Sequence, residues 1–249
     1  MILTSVLIVN LVDLRTHWTK QGLLQEIAES LEPPETDRET PQRPYSDPPS
    51  RQDAPVISYA SPFDAEMLDI NPDYVCWVKI EGTNVDYPVV RADDNEKYLN
   101  TSFFGERSGL GALFMDYRCA GENLPHIIIY GHNARNGALF GGLRRFLSER
   151  YLKEHPTVTL RVNDRIVRYE IFSARETTVA DPAYDLDFDA ANSFDAFAER
   201  CGAPDGTVQI LTLSTCVSAG NNNARVILQG ALVDYGETGE RDIGPQRVE

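Results

Sequence analysis

The stretch ILTLSTCVSAGNNNARV, residues 210–226, ends one apolar run on Cys216 and begins a second apolar run on Arg225. The polar loop between them is rich in Gly and Asn, which is typical of a connection between two strands. If the two runs pair as antiparallel strands, the loop brings Cys216 and Arg225 side by side. A guanidinium next to a thiol favours the thiolate and offers planar donors to an oxyanion. The alternative is a buried cysteine that behaves as a small, inert hydrophobic residue.

Short runs rich in Val, Ile, Tyr and Phe fill the chain before this stretch and predict a mainly β fold. The first two, VCWVKI and VDYPVV, are joined by EGTN and predict a hairpin. The others are ALFMDY, HIIIYG, TVTLRV, IVRYEIFS, TVQILTLSTC and ARVILQGALV. Eight strands separated by turn residues predict a closed barrel or a sandwich.

Four helical patches interrupt the predicted strands. PFDAEMLDI and NEKYLN are short, and ALFGGLRRFLSERYLKE is longer. The last patch, DAANSFDAFAERC, begins with Asp and Asn capping candidates and places Phe194 and Phe197 on one helical face.

Composition divides the chain into four parts. Residues 1–32 form a hydrophobic, helical segment, and residues 33–62 form a spacer that holds eight of the fifteen prolines. Such a proline-rich spacer is extended and cannot join a sheet interior. A globular domain then covers residues 63–235, and a polar tail covers 236–249. The net charge of −15 disfavours nucleic acid or anionic lipid as a partner.

The apolar part of the N-terminal segment, residues 2–12, has two interpretations. As a helix it spans ~16 Å, which is shorter than the ~30 Å of a bilayer core. One interpretation is a buried or surface helix. The other is the remaining part of a signal anchor, with Arg15, His17 and Lys20 as its flanking basic residues. The proline-rich spacer that follows favours the anchor.

The four cysteines are Cys76, Cys119, Cys201 and Cys216, and none of them forms a C-x-x-C pair. A zinc site or a thioredoxin-type motif is therefore not expected, and neither a metal nor a cofactor is predicted. A nucleophilic Cys216 must stay free, so we expect no structural disulfide framework.

A nucleophilic cysteine also needs a proton partner, and the chain holds four histidines. His132 follows the run IIIYG and enters the loop HNARNG, which places it at the mouth of a predicted strand. His126 opens that strand, His155 lies in a turn before a proline, and His17 lies in the N-terminal segment. His132 is therefore the candidate acid and base.

Taken together, YGHN (residues 130–133), TLSTC (residues 212–216) and an arginine that opens the next strand resemble the sortase family. The resemblance is greatest to class B sortases and extends over roughly residues 67–233, the sortase catalytic domain. It includes VCWVKIEGTNVDYPVVRADDNEKYLNTSFFGE, GALFMDYR and the helix around Phe194. The chain departs from class B at Val217, where an acidic residue is common.

The resemblance implies a closed eight-stranded sortase-type β-barrel with peripheral helices. These include N-terminal helices and a long helix before the cysteine-bearing strand. It also implies a cysteine transpeptidase that cleaves a C-terminal sorting signal after Thr, with Cys216, His132 and Arg225 as its catalytic residues. The signal is N-P-x-T-[NG]-like or L-P-x-T-G-like, and the acceptor is a cell-wall or pilin amine.

The same resemblance suggests six substrate-binding residues: Asn95, Leu99, Tyr130, Tyr184, Ser214 and Thr215. A structural role is the alternative for three of them, because Leu99 also suits a core and Ser214 and Thr215 suit a strand ladder.

The implied location is the extracytoplasmic face of a Gram-positive cell membrane, with membrane attachment through the N-terminal segment. Two other functions remain open on the same scaffold. One is a thiol peptidase that releases its product to water, and the other is a catalytically silent barrel that only binds peptides.

Overall fold

The computed structural model describes residues 61–121, 123–163, 165–189, 192–216 and 223–237, together with Lys20, Gly22, Gln25 and Glu26, which are helical. For Cys216 and residues 235–237 it describes the backbone alone. The rest of the predicted N-terminal segment and almost all of the predicted spacer and polar tail lie outside the described residues. Among the helices in these ranges, none combines the length and apolar character needed to cross a membrane.

Eight strands close into a single barrel in the order β1-β2-β3-β4-β7-β8-β6-β5. Their bounds are β1 Tyr74–Ile80, β2 Asp86–Val90, β3 Leu113–Met115, β4 His126–Tyr130, β5 Thr157–Val162, β6 Arg165–Thr178, β7 Ile210–Cys216 and β8 Ala224–Glu237. The predicted fold class, a mainly β closed eight-stranded barrel, is confirmed, and each predicted strand is present. The predicted hairpin forms β1 and β2, which pair antiparallel.

Two of the strand pairings determine what lies at one end of the barrel. Strands β4 and β7 are parallel, with Tyr130 opposite Ser214. Strands β7 and β8 are antiparallel, with Cys216 opposite Arg225. The carboxyl ends of β4 and β7 and the start of β8 therefore meet at the same end of the barrel.

The alternation of side chains along β7 separates a barrel interior from a covered outer face. Leu211 and Leu213 are buried in the main core together with Val226 and Leu228 of β8. Ile210 packs instead in a second cluster that includes Phe194 and Phe197. The predicted aromatic face of the last helix therefore covers the outer side of the cysteine-bearing strand.

Within the described part of the chain from residue 61 onward, three α-helices and three 3-10 helices lie around the barrel. The α-helices are α1 Pro62–Ile70, α2 Glu149–Glu154 and α3 Phe194–Cys201. The 3-10 helices are η1 Lys97–Leu99, η2 Leu143–Leu147 and η3 Pro182–Tyr184.

Two of the helical patches are shorter than the sequence suggested. The patch ALFGGLRRFLSERYLKE divides into η2 and α2, because Ser148 is extended and its side chain caps a new helix by accepting from the Tyr151 N–H. The helix before the cysteine-bearing strand has eight residues and is not long. Ser193 caps its start, and Gly202 ends it in the left-handed conformation at φ 74°.

The junction between β4 and the following loop has room for a glycine alone. A Cβ at Gly131 would lie 2.3 Å from Leu113 Cδ2 and 2.8 Å from Phe140 Cδ2, and both of these side chains are buried. The position just before His132 is therefore fixed by close packing of the backbone against the core.

We expect Gly131→Ala to lower the free energy of unfolding by about 1–3 kcal/mol, because the added methyl group overpacks the core. Gly142→Ala is the matched control, since its Cβ would lie 3.7 Å from the nearest atom, on Thr83. The control should change stability by less than about 0.5 kcal/mol. Urea unfolding of both variants checks this, and equal stabilities would contradict the packing account.

Candidate active site

Cys216 and Arg225 are directly opposite each other on neighbouring antiparallel strands. The sequence predicted this pairing from two apolar runs joined by a short polar loop. Arg225 is half-buried, and one of its terminal nitrogens donates to the Ala224 carbonyl at 3.1 Å. Because directly opposed residues lie about 4.5–5.5 Å apart at Cα, a guanidinium here is within reach of groups bound at Cys216.

His132 lies at the same end of the barrel, on the other side of β7. The ladder between β4 and β7 continues beyond Tyr130, because the Gly131 N–H donates to the Ser214 carbonyl at 3.1 Å. His132 is thus two positions beyond Tyr130, just as Cys216 is two positions beyond Ser214. The backbones of the three predicted catalytic residues therefore lie side by side, with His132 just beyond β4, Cys216 at the end of β7 and Arg225 at the start of β8. These three residues are called the catalytic row below.

The His132 ring is held by a backbone group that the sequence did not reveal. Its Nε2 lies 2.8 Å from the carbonyl oxygen of Leu99, at the end of η1. Since a carbonyl only accepts, Nε2 must carry a proton in this contact. In the neutral ring, Nδ1 is then the unprotonated nitrogen.

The η1 helix is itself firmly anchored. Tyr98 is buried, and its hydroxyl donates to Asp73 at 2.8 Å, while Asn71 Nδ2 donates to the same hydroxyl at 3.0 Å. The Tyr98 carbonyl accepts from the Ala112 N–H at 3.1 Å. The Leu99 carbonyl is therefore a fixed acceptor, whereas the Leu99 side chain is 37% exposed and is not part of the core.

Tyr130, Tyr184 and Ser214, three of the predicted substrate contacts, form one cluster. The Tyr130 and Tyr184 rings are stacked at a centroid separation of 6.4 Å and an interplanar angle of 13°. The Tyr184 hydroxyl lies 2.9 Å from the Ser214 hydroxyl. These contacts join η3 to the ends of β4 and β7 and place an aromatic surface next to the catalytic row.

An ion pair with a buried carboxylate supports this cluster, and the sequence alone gave no sign of its role. The fully buried Asp116 accepts from the Arg118 Nε and one terminal nitrogen at 2.9 Å each, and from the Tyr130 hydroxyl at 2.9 Å. Burial raises the pKa of Asp116, but the hydrogen bonds and charge of Arg118 together with the hydrogen bond from Tyr130 outweigh burial, so that pKa lies below its ordinary value. The carboxylate therefore stays charged and fixes the Tyr130 ring.

The hydrogen bond of the Asn95 side chain is made to a turn and not to the catalytic row. The Asn95 side-chain oxygen accepts from the backbone N–H of Tyr117 at 3.0 Å, and so it shapes the turn after β3. Tyr117 is 45% exposed. Leu99 thus contacts His132 through its carbonyl oxygen, whereas the Asn95 side chain contacts the turn after β3.

Thr215 differs from Ser214 in its surroundings. It is 2% exposed, and its hydroxyl has no hydrogen-bond partner among the described atoms. Strand alternation puts Thr215 on the interior face with Leu213, whereas Ser214 lies on the opposite face. The Thr215 side chain therefore points to the barrel interior, away from the face on which Ser214 lies.

The three other cysteines are free thiols with weak acidity. Burial raises the pKa of Cys76 and Cys201, and it raises the pKa of Cys119 to about 11. Each is therefore protonated at neutral pH and unsuited to nucleophilic attack. Among the histidines, His126 is fully buried under the aromatic cluster of α3, and His155 packs against Gly82 in a turn.

Comparisons with known proteins show one family to which this chain is similar. A model of the sortase domain matches residues 78–233. Sortase B of Listeria monocytogenes is 31% identical over 179 residues, which cover 68% of this chain and 73% of that protein.

Two solved structures have the same barrel. Clostridium perfringens sortase B has a TM-score of 0.63 and 31% identity, over 69% of this chain and all of that one. A Staphylococcus aureus sortase B–substrate complex has a TM-score of 0.63 and 26% identity, over 71% of this chain and 87% of that one.

The orphan hydroxyl of Thr215 allows a direct test of its role. Thr215→Val keeps the shape of the side chain and removes a buried polar group that lacks a partner. We expect the free energy of unfolding to rise by about 1 kcal/mol while peptide turnover is retained. A large loss of turnover with an intact fold would instead support the predicted substrate contact.

Proposed function

This chain belongs to the sortase family of cysteine transpeptidases, and we propose that Cys216, His132 and Arg225 carry out its reaction. The observation that supports this assignment is the pairing of three strands. The parallel register of β4 with β7 and the opposition of Cys216 to Arg225 bring the three residues to one end of the barrel.

In the first half of the proposed reaction, the Cys216 thiolate attacks the carbonyl carbon of the Thr in the sorting signal. A tetrahedral oxyanion forms and then collapses, which breaks the peptide bond after Thr. His132 donates a proton to the departing amine, and a thioester between the signal and Cys216 remains.

In the second half, an amine attacks the thioester carbonyl. His132 accepts the proton that this amine loses, and Cys216 leaves as a thiolate. The bond of Nε2 to Leu99 assigns the proton transfer to Nδ1, because Nε2–H stays donated to the carbonyl through the cycle.

Arg225 stabilises the oxyanion in both halves. Its guanidinium presents fixed, planar donors, and its charge is permanent. A cation beside Cys216 also lowers the free energy of the thiolate relative to the thiol. Arg225 is therefore assigned two contributions, to the transition state and to the nucleophile.

We assign recognition of the signal to the surface around this row. Tyr130 and Tyr184 offer a stacked aromatic wall, and the buried Ser214 hydroxyl holds Tyr184 in that wall. We place Asn95 and Leu99 on the opposite side of the peptide. The partner peptide is N-P-x-T-[NG]-like or L-P-x-T-G-like. The buried Thr215 side chain contributes to peptide binding indirectly, by packing in the barrel interior and supporting the end of β7.

The acceptor that we propose is an amine of a peptidoglycan precursor or a pilin. The enzyme then works on the extracytoplasmic face of a Gram-positive cell membrane. In this arrangement residues 1–32 attach the chain to the membrane, and the proline-rich residues 33–62 hold the catalytic domain away from it.

Product analysis with and without an added amine tests the transfer reaction. Incubation with a panel of both peptide types should give a new amide when triglycine or another amine is present, and slow hydrolysis when it is absent. Cys216→Ala should abolish both products, whereas the matched thiol variant Cys201→Ala should retain them. Hydrolysis that is unaffected by amine would support the thiol peptidase, and no product at all would support the silent peptide-binding barrel.

Arg225→Lys should keep the positive charge and still lose about 10²–10³ in kcat, because an ammonium on a mobile stem cannot match a fixed oxyanion donor. Alkylation of Cys216 by iodoacetamide should fall much less, since charge alone favours the thiolate. Arg168→Lys, which changes an exposed pair with Asp234 at 2.9 Å, is the matched control and should alter neither rate.

Two results would overturn the oxyanion role of Arg225. Unchanged turnover and alkylation would make it a structural strand residue. An equal collapse of both rates in a folded protein would make thiolate stabilisation its main role.

A further inference from the structure

The histidine that opens β4 has no place in the proposed reaction, yet both of its ring nitrogens are engaged. His126 is 1% exposed, with Nδ1 2.7 Å from the carbonyl oxygen of Asp185 and Nε2 2.8 Å from the Thr212 hydroxyl. Thr212 is fully buried on β7. A buried polar side chain with two short contacts contributes to the arrangement of its partners.

The partners of His126 form a continuous chain of hydrogen bonds across three strands. An Arg175 terminal nitrogen lies 2.7 Å from Gln229 Oε1, and Gln229 Nε2 lies 3.3 Å from the Thr212 hydroxyl. Thr212 is opposite Gln229 on β8, and Gln229 is opposite Ser173 on β6. Gln229 is fully buried, so the chain runs through the covered outer face of the barrel.

The two ends of this chain fix the direction of every bond in it. Arginine only donates, so Gln229 accepts with its oxygen and donates with its nitrogen to Thr212. Thr212 then gives its own proton to His126 Nε2. At the other end the Asp185 carbonyl only accepts, so His126 Nδ1 must carry the ring proton. Both ends therefore require the same neutral Nδ1–H tautomer.

The segment from Asp181 to Asp185 is attached to this chain at both of its ends. Arg175 donates to the Asp181 carboxylate at 3.1 Å, and the Thr177 hydroxyl donates to the same carboxylate. His126 binds the Asp185 carbonyl. Tyr184 lies between these two attachments and extends from them to Ser214 at 2.9 Å.

We propose that His126 is a positioning residue that fixes the Asp181–Asp185 segment, and through it the Tyr184 ring, for binding of the sorting signal. This inference rests on the proposed function, in which Tyr184 contacts the peptide. Burial, the largest influence, lowers the pKa of His126 from 6.5 to about 4, so the ring stays neutral at pH 7.

The competing explanation is simple core packing. The His126 ring lies 4.8 Å from Phe197 and 6.4 Å from Phe188, centroid to centroid, within the cluster that covers β7. If packing alone matters, an aromatic ring without nitrogens would serve equally well. The two explanations therefore predict different results for different substitutions.

Three substitutions distinguish the hydrogen bond at Nδ1 of His126 from the one at Nε2. His126→Asn places an amide near Nδ1 and can still donate to Asp185, whereas His126→Gln places its amide near Nε2 and keeps only the contact with Thr212. His126→Phe keeps the ring packing and loses both bonds. We expect the His126→Gln and His126→Phe variants to have a KM for a sorting-signal peptide about tenfold above that of the wild type. The His126→Asn variant should have a KM about threefold above it or less.

In all three variants we expect kcat and the rate of Cys216 alkylation by iodoacetamide to stay within about twofold of the wild type, because the catalytic row is untouched. An unchanged KM in Gln and Phe would overturn the positioning role. A KM of the His126→Asn variant as high as that of the His126→Gln variant would also overturn it, since the bond to Asp185 would then have no separate effect. Wild-type protein that neither transfers peptide nor alkylates contradicts the proposed function instead.

Nitrogen-15 NMR of the wild-type imidazoles tests the inference without any variant that might fail to fold. His126 should show the neutral Nδ1–H tautomer at pH 7. A neutral Nε2–H tautomer would break the bond to Asp185 and overturn the inference, and so would a protonated ring. This measurement does not depend on activity.

Discussion

The parallel pairing of β4 with β7 is the constraint on which the rest of the site depends. It joins two strands that are distant in the sequence, with Tyr130 opposite Ser214, and so makes their carboxyl ends meet. Because β8 returns antiparallel from that end, Arg225 is added to the same row. A shift of one residue in this register would move every side chain of β7 to the other face of the sheet, so the buried Leu211 and Leu213 also hold the site in place.

The outward-facing residues of β7 make different kinds of contact along the strand. Ile210 packs against the aromatic residues of α3, Thr212 belongs to the buried hydrogen-bond chain, and Ser214 contacts Tyr184. The strand then ends at Cys216. Ile210, Thr212 and Ser214 are all buried, and the hydroxyls of Thr212 and Ser214 are hydrogen-bonded. A rigid polar layer therefore supports the part of the site where we place the peptide.

The sequence predicted the eight strands and the adjacency of Cys216 and Arg225, because β-branched runs and polar loops are local signals. It did not predict the Leu99 carbonyl that holds His132, because any residue supplies a backbone carbonyl and only the fold determines where it points. The same applies to Asp116, whose partners Arg118 and Tyr130 become a network only around a buried carboxylate. The helix before β7 is shorter than predicted because Ser193 and Gly202 act as caps.

The most direct test of the account is to locate the acyl group on the enzyme. The protein is mixed with an excess of a sorting-signal peptide without amine, quenched in acid and digested, and its cysteine-containing peptides are mapped by mass spectrometry. We expect a thioester at Cys216, with Cys76, Cys119 and Cys201 unmodified because their thiols are protonated. An acyl group on any of these three cysteines, or turnover by a Cys216→Ala protein, would contradict it.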